Sequence, residues 1–361
     1  MTLIAALVRS PYFLAVGDAL LTTNSRVHHD SPIPTQRLPN ETEQMFDSGR
    51  WVAGLARKIF PIGPFLVLGW SGTMGAYEHS IKFLFANSPD VMPSVSDFQY
   101  LVEKAKLPRG VDASWFIFGI SNDCGPVSIS HNIAINTPKD GNFNLLGGSG
   151  REHFQQFLDE QNIASLDGVD LFPELLGVCA KYLLSQHRQG RFLEEGVGGA
   201  FDIIVSGEAN FEQLDRVLYV FRDYWDEDEA KLVRSDVENV TKTGRTFSKI
   251  EAVYYTTHLG SSLFVGRWHQ GGPDFFEVKT PYIQPSPLEK TPHVWGVDYV
   301  VETLTHCSGK RPISLLPSSK EYDFQPDANG YSNLKLPMEL SEECEQALRA
   351  GPEARRTETS T

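Results

Sequence analysis

Thr2 stands directly after Met1, and a residue this small predicts removal of the initiator methionine and exposure of Thr2 as the N-terminal residue. An N-terminal threonine carries a hydroxyl and an α-amine on one residue, and the amine's reference pKa of about 8 makes it a usable base near neutral pH. The nucleophile then brings its own base. Asp18 follows sixteen residues later at the end of an apolar run, Lys58 opens another, and Gly72 lies fourteen residues beyond Lys58 at a strand-to-helix turn. Taken singly, these are an ordinary chain start, a turn cap and an exposed strand lysine. Taken together at these spacings, they read as one site.

Other chemistry-bearing residues lack such support. His28-His29-Asp30 has metal-ligand types in sequence, but adjacent histidines in a polar loop ordinarily face solvent and no partner spacing accompanies them. Gly147-Gly148-Ser149-Gly150 opens a helical stretch, as phosphate cradles do, yet no P-loop lysine follows. The sequons at Asn40 and Asn239 have no secretory context, and His258 and His269 read as ordinary polar residues. Trp70 and Met74 flank Gly72, where they would either narrow a side-chain pocket or fill core. No metal or cofactor is expected.

The elements that must position the site are short strands followed by helices. Residues 2–8 and 12–16 form two apolar runs around Arg9-Ser10-Pro11, the pattern of a hairpin of buried strands. Residues 24–50 are polar and punctuated by Pro32, Pro34, Pro39 and Gly49, which predicts an exposed loop. Strands are expected at 57–62, 64–70, 114–120, 127–135, 200–206 and 217–224, and helices at 73–86, 95–106, 151–161 and 171–188. That order predicts an α+β layered domain with helices on both faces of stacked sheets. Beyond the acidic run 226–229, read as a solvated boundary, strands at 249–256, 261–268 and 294–304 predict a smaller β-rich module.

With 361 residues, 41% hydrophobic and 22% charged, the chain has length and apolar content for a real core, and disorder as its main state is excluded. Its 32 Lys and Arg against 46 Asp and Glu give a net charge of −14, which repels phosphate backbones and anionic lipid, so neither nucleic acid nor membrane is expected as a partner. The four cysteines are far apart and form no C-x-x-C pair, and a reducing cytoplasm fits them best. The apolar start to Leu21 is interrupted by Arg9 and Asp18 and lacks a cationic leader, so it is read as mature structure.

Thr2, Gly17-Asp18, Thr22, Lys58-Ile59-Phe60-Pro61-Ile62 and Ser71-Gly72 resemble the active-site framework of catalytic proteasome β-type subunits, which are threonine-type N-terminal nucleophile hydrolases. Gly119, Asp123-Cys124-Gly125-Pro126, Gly148-Ser149-Gly150 and Gly198-Gly199 extend the likeness over about residues 2–225. The resemblance implies a four-layer αββα sandwich with the tip of the N-terminal strand at the site. It implies Thr2 as nucleophile, its amine as proton acceptor, Lys58 lowering the pKa of both, and Asp18 holding that lysine charged and oriented. Gly72 N–H would form the oxyanion hole, Ser149 would hydrogen-bond near the amine, and Thr22 and Gly72 would pair with an extended peptide.

The departures lie on the amine side and after Asp18. Glu194 stands where the family has an aspartate, Val197 where it has a serine, and Ala19-Leu20 where serine and arginine are usual; residues 24–50 also lengthen the interval to Lys58. The expected organisation is a proteasome-like core over 1–225, a β-rich C-terminal module over 226–345 and a flexible tail over 346–361. The leading expectation is a peptidase or amidohydrolase that needs no self-processing, working through an ester on Thr2, assembled as a homo-oligomer. A non-catalytic structural subunit of the same fold and a hydrolase of small non-peptide amides remain open.

Overall fold

Alternate residues of the first strand serve two different cores. In β1 (Ile4–Arg9), Ile4, Ala6 and Val8 pack into one cluster, while Ala5 and Leu7, with Leu3 just before the strand, pack into another. Because successive side chains of a strand point to opposite faces, β1 is covered on both sides, and this is why it reads as an unbroken apolar run. The computed structural model describes residues 2–9, 12–24, 33–35, 51–139, 142–160, 168–189, 197–207, 210–226, 241–243, 246–269, 272–283, 296–306, 312–317, 323–326, 332–336 and 339–348.

β1 lies inside a six-stranded sheet with β2 (Tyr12–Asp18), β9 (Ala134–Lys139), β10 (Asn142–Gly147), β11 (Phe201–Ser206) and β12 (Phe211–Gln213), in the order β12-β11-β2-β1-β10-β9. A four-stranded sheet, β5 (Ile59–Ile62), β6 (Leu66–Ser71), β7 (Ser114–Ser121) and β8 (Gly125–His131), runs in chain order. The two sheets face each other through Ile4, Ala6, Phe13 and Ala15 on one side and Ile59, Val67, Phe116 and Phe118 on the other. The outer face of the four-stranded sheet is covered by α1 (Glu78–Ala86) and α2 (Val95–Ala105). That of the six-stranded sheet is covered by α3 (Arg151–Glu160) and α4 (Gly168–Gln189). The fold is mixed α/β and strand-rich, with no helix among the described residues long and apolar enough to cross a membrane.

Between β2 and β5 the chain makes a ribbon of β3 (Leu20–Thr23) and β4 (Trp51–Leu55), which the sequence reading did not anticipate. Of the expected exposed loop at 24–50, most lies outside the described residues, but Ile33-Pro34-Thr35 is buried, with Ile33 packed on Leu20 and Val52. Pro34 lies in a turn, but a proline does not say that the segment around it docks on the ribbon.

A seven-stranded sheet contains β13 (Val217–Asp226), β14 (Thr241–Thr243), β15 (Thr246–Leu259), β16 (Ser262–His269), β17 (Gly272–Val278), β18 (Tyr299–His306) and β19 (Ile313–Leu315). The expected boundary at 225 falls at the end of β13, yet β13 pairs with β15 and, in parallel, with β18, so it belongs to this sheet and not to the N-terminal ones. Nor is the sheet an appendage. Tyr219, Phe221, Tyr254 and Val301 join Leu175, Leu176 and Leu183 of α4 in one cluster with Leu14 and Val16 of β2, so α4 is packed between two sheets. β20 (Asp323–Pro326) and β21 (Ser332–Lys335) pair separately. Residues 342–348 are helical and Leu348 packs on Leu304, Leu340 and Cys344, so the ordered chain runs past the expected start of the tail at 346.

Candidate active site

Asp18 is the hub of the site. Fully buried at the end of β2, it accepts four hydrogen bonds: Oδ1 from Leu3 N at 2.7 Å and Lys58 Nζ at 2.7 Å, Oδ2 from Gly198 N at 3.0 Å and Leu20 N at 3.3 Å. A buried carboxylate is tolerated only with such partners. Because one oxygen takes both the Leu3 amide and the Lys58 ammonium, the lysine is held one residue from Thr2. Lys58 is 1% exposed and also donates to Leu20 O. Burial pushes its pKa down, and the charge and hydrogen bond of Asp18 offset that only in part, so the ammonium is a readier proton donor than a surface lysine.

The other side of Thr2 is held by the turn from β10 into α3. Thr2 N donates to Ser149 Oγ at 3.1 Å, and Gly150 N donates to Thr2 O at 3.1 Å. Gly148 has φ +84°, and a Cβ there would lie 2.1 Å from Thr2 O and 3.2 Å from Ser71 Oγ. Only glycine fits so close to the backbone of residue 2. Gly148→Ala is therefore expected to destabilise the chain by about 1–3 kcal/mol through strain and to displace Thr2. Urea unfolding checks the first, and an unchanged midpoint contradicts it. Gly72, with φ +122°, follows Ser71 directly, and a Cβ there would lie 2.3 Å from Asp112 O.

The structure thus brings Thr2, Asp18, Lys58 and Ser149 together, while Gly72 packs against Asp112 and Ala113. Thr22 sits half-buried in β3 opposite Val52. Trp70 is 1% exposed, packs against Tyr77 and donates its indole N–H to Arg57 O at 3.1 Å, so it is core and not an open pocket wall. Met74 is exposed, in a 3-10 turn (Met74–Tyr77). Glu194, His28, His29 and Asp30 lie outside the described residues. Val197 is buried against Gly150, and its carbonyl accepts from Gln186 of α4 at 3.1 Å. A cavity of about 830 Å³ opens elsewhere, between β9 and α3, lined by Asn136, Arg151 and Gln155 among others.

No protein-family model matches the chain, and no curated protein matches it. Among solved structures it is similar to the Anbu (Gly-1) mutant from Hyphomicrobium sp. strain MC1, at 13% identity and a TM-score of 0.35, over 59% of this chain and 85% of that one.

Sequence reasoning passed over Arg57 and Asp202 and read His258 as an ordinary polar residue. Arg57 and Asp202 are 1% and 2% exposed, and Arg57 Nε donates to Asp202 Oδ2 at 2.6 Å. His258 Nε2 lies 3.1 Å from Asp202 Oδ1, with its side chain 7% exposed. Burial alone raises the Asp202 pKa, but the Arg57 charge and the His258 hydrogen bond outweigh it and hold the carboxyl below the usual carboxylate range. The available signal was an Arg-Lys pair opening a buried strand, where two consecutive charges must each find a partner.

Asp215 holds the His258 backbone, accepting its main-chain N–H at 2.7 Å. Burial pushes its pKa up; the hydrogen bonds from His258 and Thr257 win, and it is held down to about 2, against a reference of 3.8. A group depressed in the folded state contributes stability that is complete above the unfolded pKa and lost as pH falls through the folded one. Melting temperature is therefore expected to fall more steeply between about pH 4 and pH 2 in the native chain than in Asp215→Asn. Parallel melting curves over that window contradict this.

Proposed function

We propose that the chain is a threonine amidohydrolase of the N-terminal nucleophile type, with a proteasome-like four-layer αββα core that cleaves a peptide or other amide through an ester on Thr2. The observation that carries this reading is the shared oxygen of Asp18, which ties a buried, pKa-lowered Lys58 to the amide next to Thr2 while Ser149 Oγ engages Thr2 N.

With Met1 removed, the Thr2 α-amine takes the proton of Oγ1 as that oxygen attacks the substrate carbonyl. The Lys58 ammonium lowers the pKa of hydroxyl and amine, and Asp18 keeps the lysine charged and aimed. The carbonyl oxygen gathers negative charge at the Gly72 N–H. The protonated amine passes its proton to the departing amide nitrogen, the C–N bond breaks, and the acyl group stays on Oγ1. Water, deprotonated by the same amine, then hydrolyses the ester and returns Thr2. Ser149 orients the amine, and the Thr22 and Gly72 backbone groups bind an extended substrate like an added strand.

The test is incubation of the purified chain with an epoxyketone or β-lactone probe, followed by turnover on fluorogenic peptides and on small amides. A stoichiometric adduct on Thr2 with peptide turnover supports a peptidase, and an adduct with small-amide turnover alone supports a narrower hydrolase. No adduct supports a non-catalytic subunit. The partners in this reading are the substrate and further copies of the chain, and light scattering that finds a 40.3 kDa monomer removes the second.

A further inference from the structure

We infer that the chain of contacts Arg57–Asp202–His258 is a positioning device for Lys58, supplied in part by the seven-stranded sheet, so that the C-terminal half helps to build the site. This rests on the reading of Thr2 as nucleophile.

Arg57 and Lys58 are consecutive, and each is captured by a carboxylate on the six-stranded sheet. Lys58 goes to Asp18 on β2 and Arg57 to Asp202 on β11. Those strands are antiparallel neighbours in which Phe201 faces Asp18 and Asp202 faces Gly17. The lysine-bearing segment is thus pinned at two points one residue apart, in opposite directions. Its backbone is pinned as well: Ala56 N donates to Ala19 O at 2.9 Å, Arg57 N to Lys279 O at 3.0 Å, and Trp70 N to Lys58 O at 2.9 Å.

Three of the groups that hold Arg57 and Asp202 come from beyond residue 225. His258 ends its approach on Asp202 Oδ1, the oxygen Arg57 Nε leaves free. The turn between β15 and β16 offers Ser261 O to Arg57 Nη1 at 3.0 Å, and Thr280 Oγ1 lies 3.4 Å from the same nitrogen. Stability alone is a poor explanation for this arrangement. A buried ion pair is weak evidence of stabilisation, and Arg57 Nη2 has no hydrogen-bond partner among the described residues, which costs free energy that an apolar side chain would not. What the network does provide is a fixed backbone at residue 58. A lysine has four rotatable bonds, and its ammonium holds a catalytic position only if its own anchor is rigid.

The test uses the full-length chain and a β-lactone probe, with the inactivation rate constant (kinact) and the half-saturating concentration (KI) measured separately. His258→Leu is expected to lower kinact at least about tenfold with KI within about twofold, since substrate contacts are untouched. His258→Gln, whose side-chain amide can still donate to Asp202 Oδ1, is expected to keep at least about a third of kinact. If His258→Leu does not fold, His258→Asn, polar but too short to reach Asp202, takes its place with the same expected split. Labelling of the Leu or Asn variant at the native kinact overturns the inference, as does a loss confined to KI or a Gln variant as slow as the Leu variant. If the native chain is not labelled at all, the reading of Thr2 fails, and the positioning role fails with it.

Discussion

Thr2→Ala is expected to abolish probe capture and hydrolysis, a loss of about 10³-fold or more, while melting temperature moves by no more than about 3 °C. The activity loss follows because one atom, Oγ1, is the proposed site of the covalent bond. The small thermal effect follows because three hydrogen bonds at this end of β1 use the backbone of residues 2 and 3: Thr2 N on Ser149, Thr2 O with Gly150 N, Leu3 N on Asp18. All of them survive the substitution. Thr2→Ser keeps the hydroxyl and should remain reactive. A fall of many degrees in Thr2→Ala makes the residue a structural one, and undiminished turnover removes it from the chemistry.

Lys58→Met is expected to be damaging in both respects. Methionine fills much of the space of the lysine stem but removes the ammonium that pairs with Asp18, a loss of about 3–5 kcal/mol for one partner of a buried pair. The amides of Leu3, Leu20 and Gly198 still bind the carboxylate, which places the effect nearer the lower end. Probe capture should fall nearly as far as in Thr2→Ala, because members of a catalytic unit are not additive. Urea unfolding and labelling rate check the two halves. A stability change below about 1 kcal/mol contradicts the buried pair, and labelling above about a tenth of the native rate contradicts the role of the lysine.

Sequence made parts of this legible and hid others for physical reasons. β1, β2, β6 and β7 are buried on both faces, so they stand out as continuous apolar runs. Thr2, Asp18, Lys58 and Ser149 were legible because each sits at the end of such a run or at the glycine-marked turn into α3. The allegiance of β13 was not legible: its apolar residues announce a strand, but its sheet is set by parallel pairing with β18, in which Val217 meets Tyr299 far along the chain. The ribbon of β3 and β4 escaped notice because its burial is intermediate and its second strand rises out of a polar stretch. Arg57, Asp202 and His258 were invisible as a group because the contacts span 145 and 56 positions, and no local pattern reports that a particular arginine and aspartate will meet.

The central claim is that the residue at position 2 is both the chain's N-terminus and its nucleophile, and it is tested most directly by mass spectrometry of the first tryptic peptide after treatment with a β-lactone. Cleavage follows Arg9. The expected species is the Thr2 to Arg9 peptide, lacking Met1 and carrying the mass of one probe on Thr2. Recovery of the Met1 to Arg9 peptide, whose residue 2 has no free amine, or of an unmodified Thr2 to Arg9 peptide under saturating probe, contradicts it.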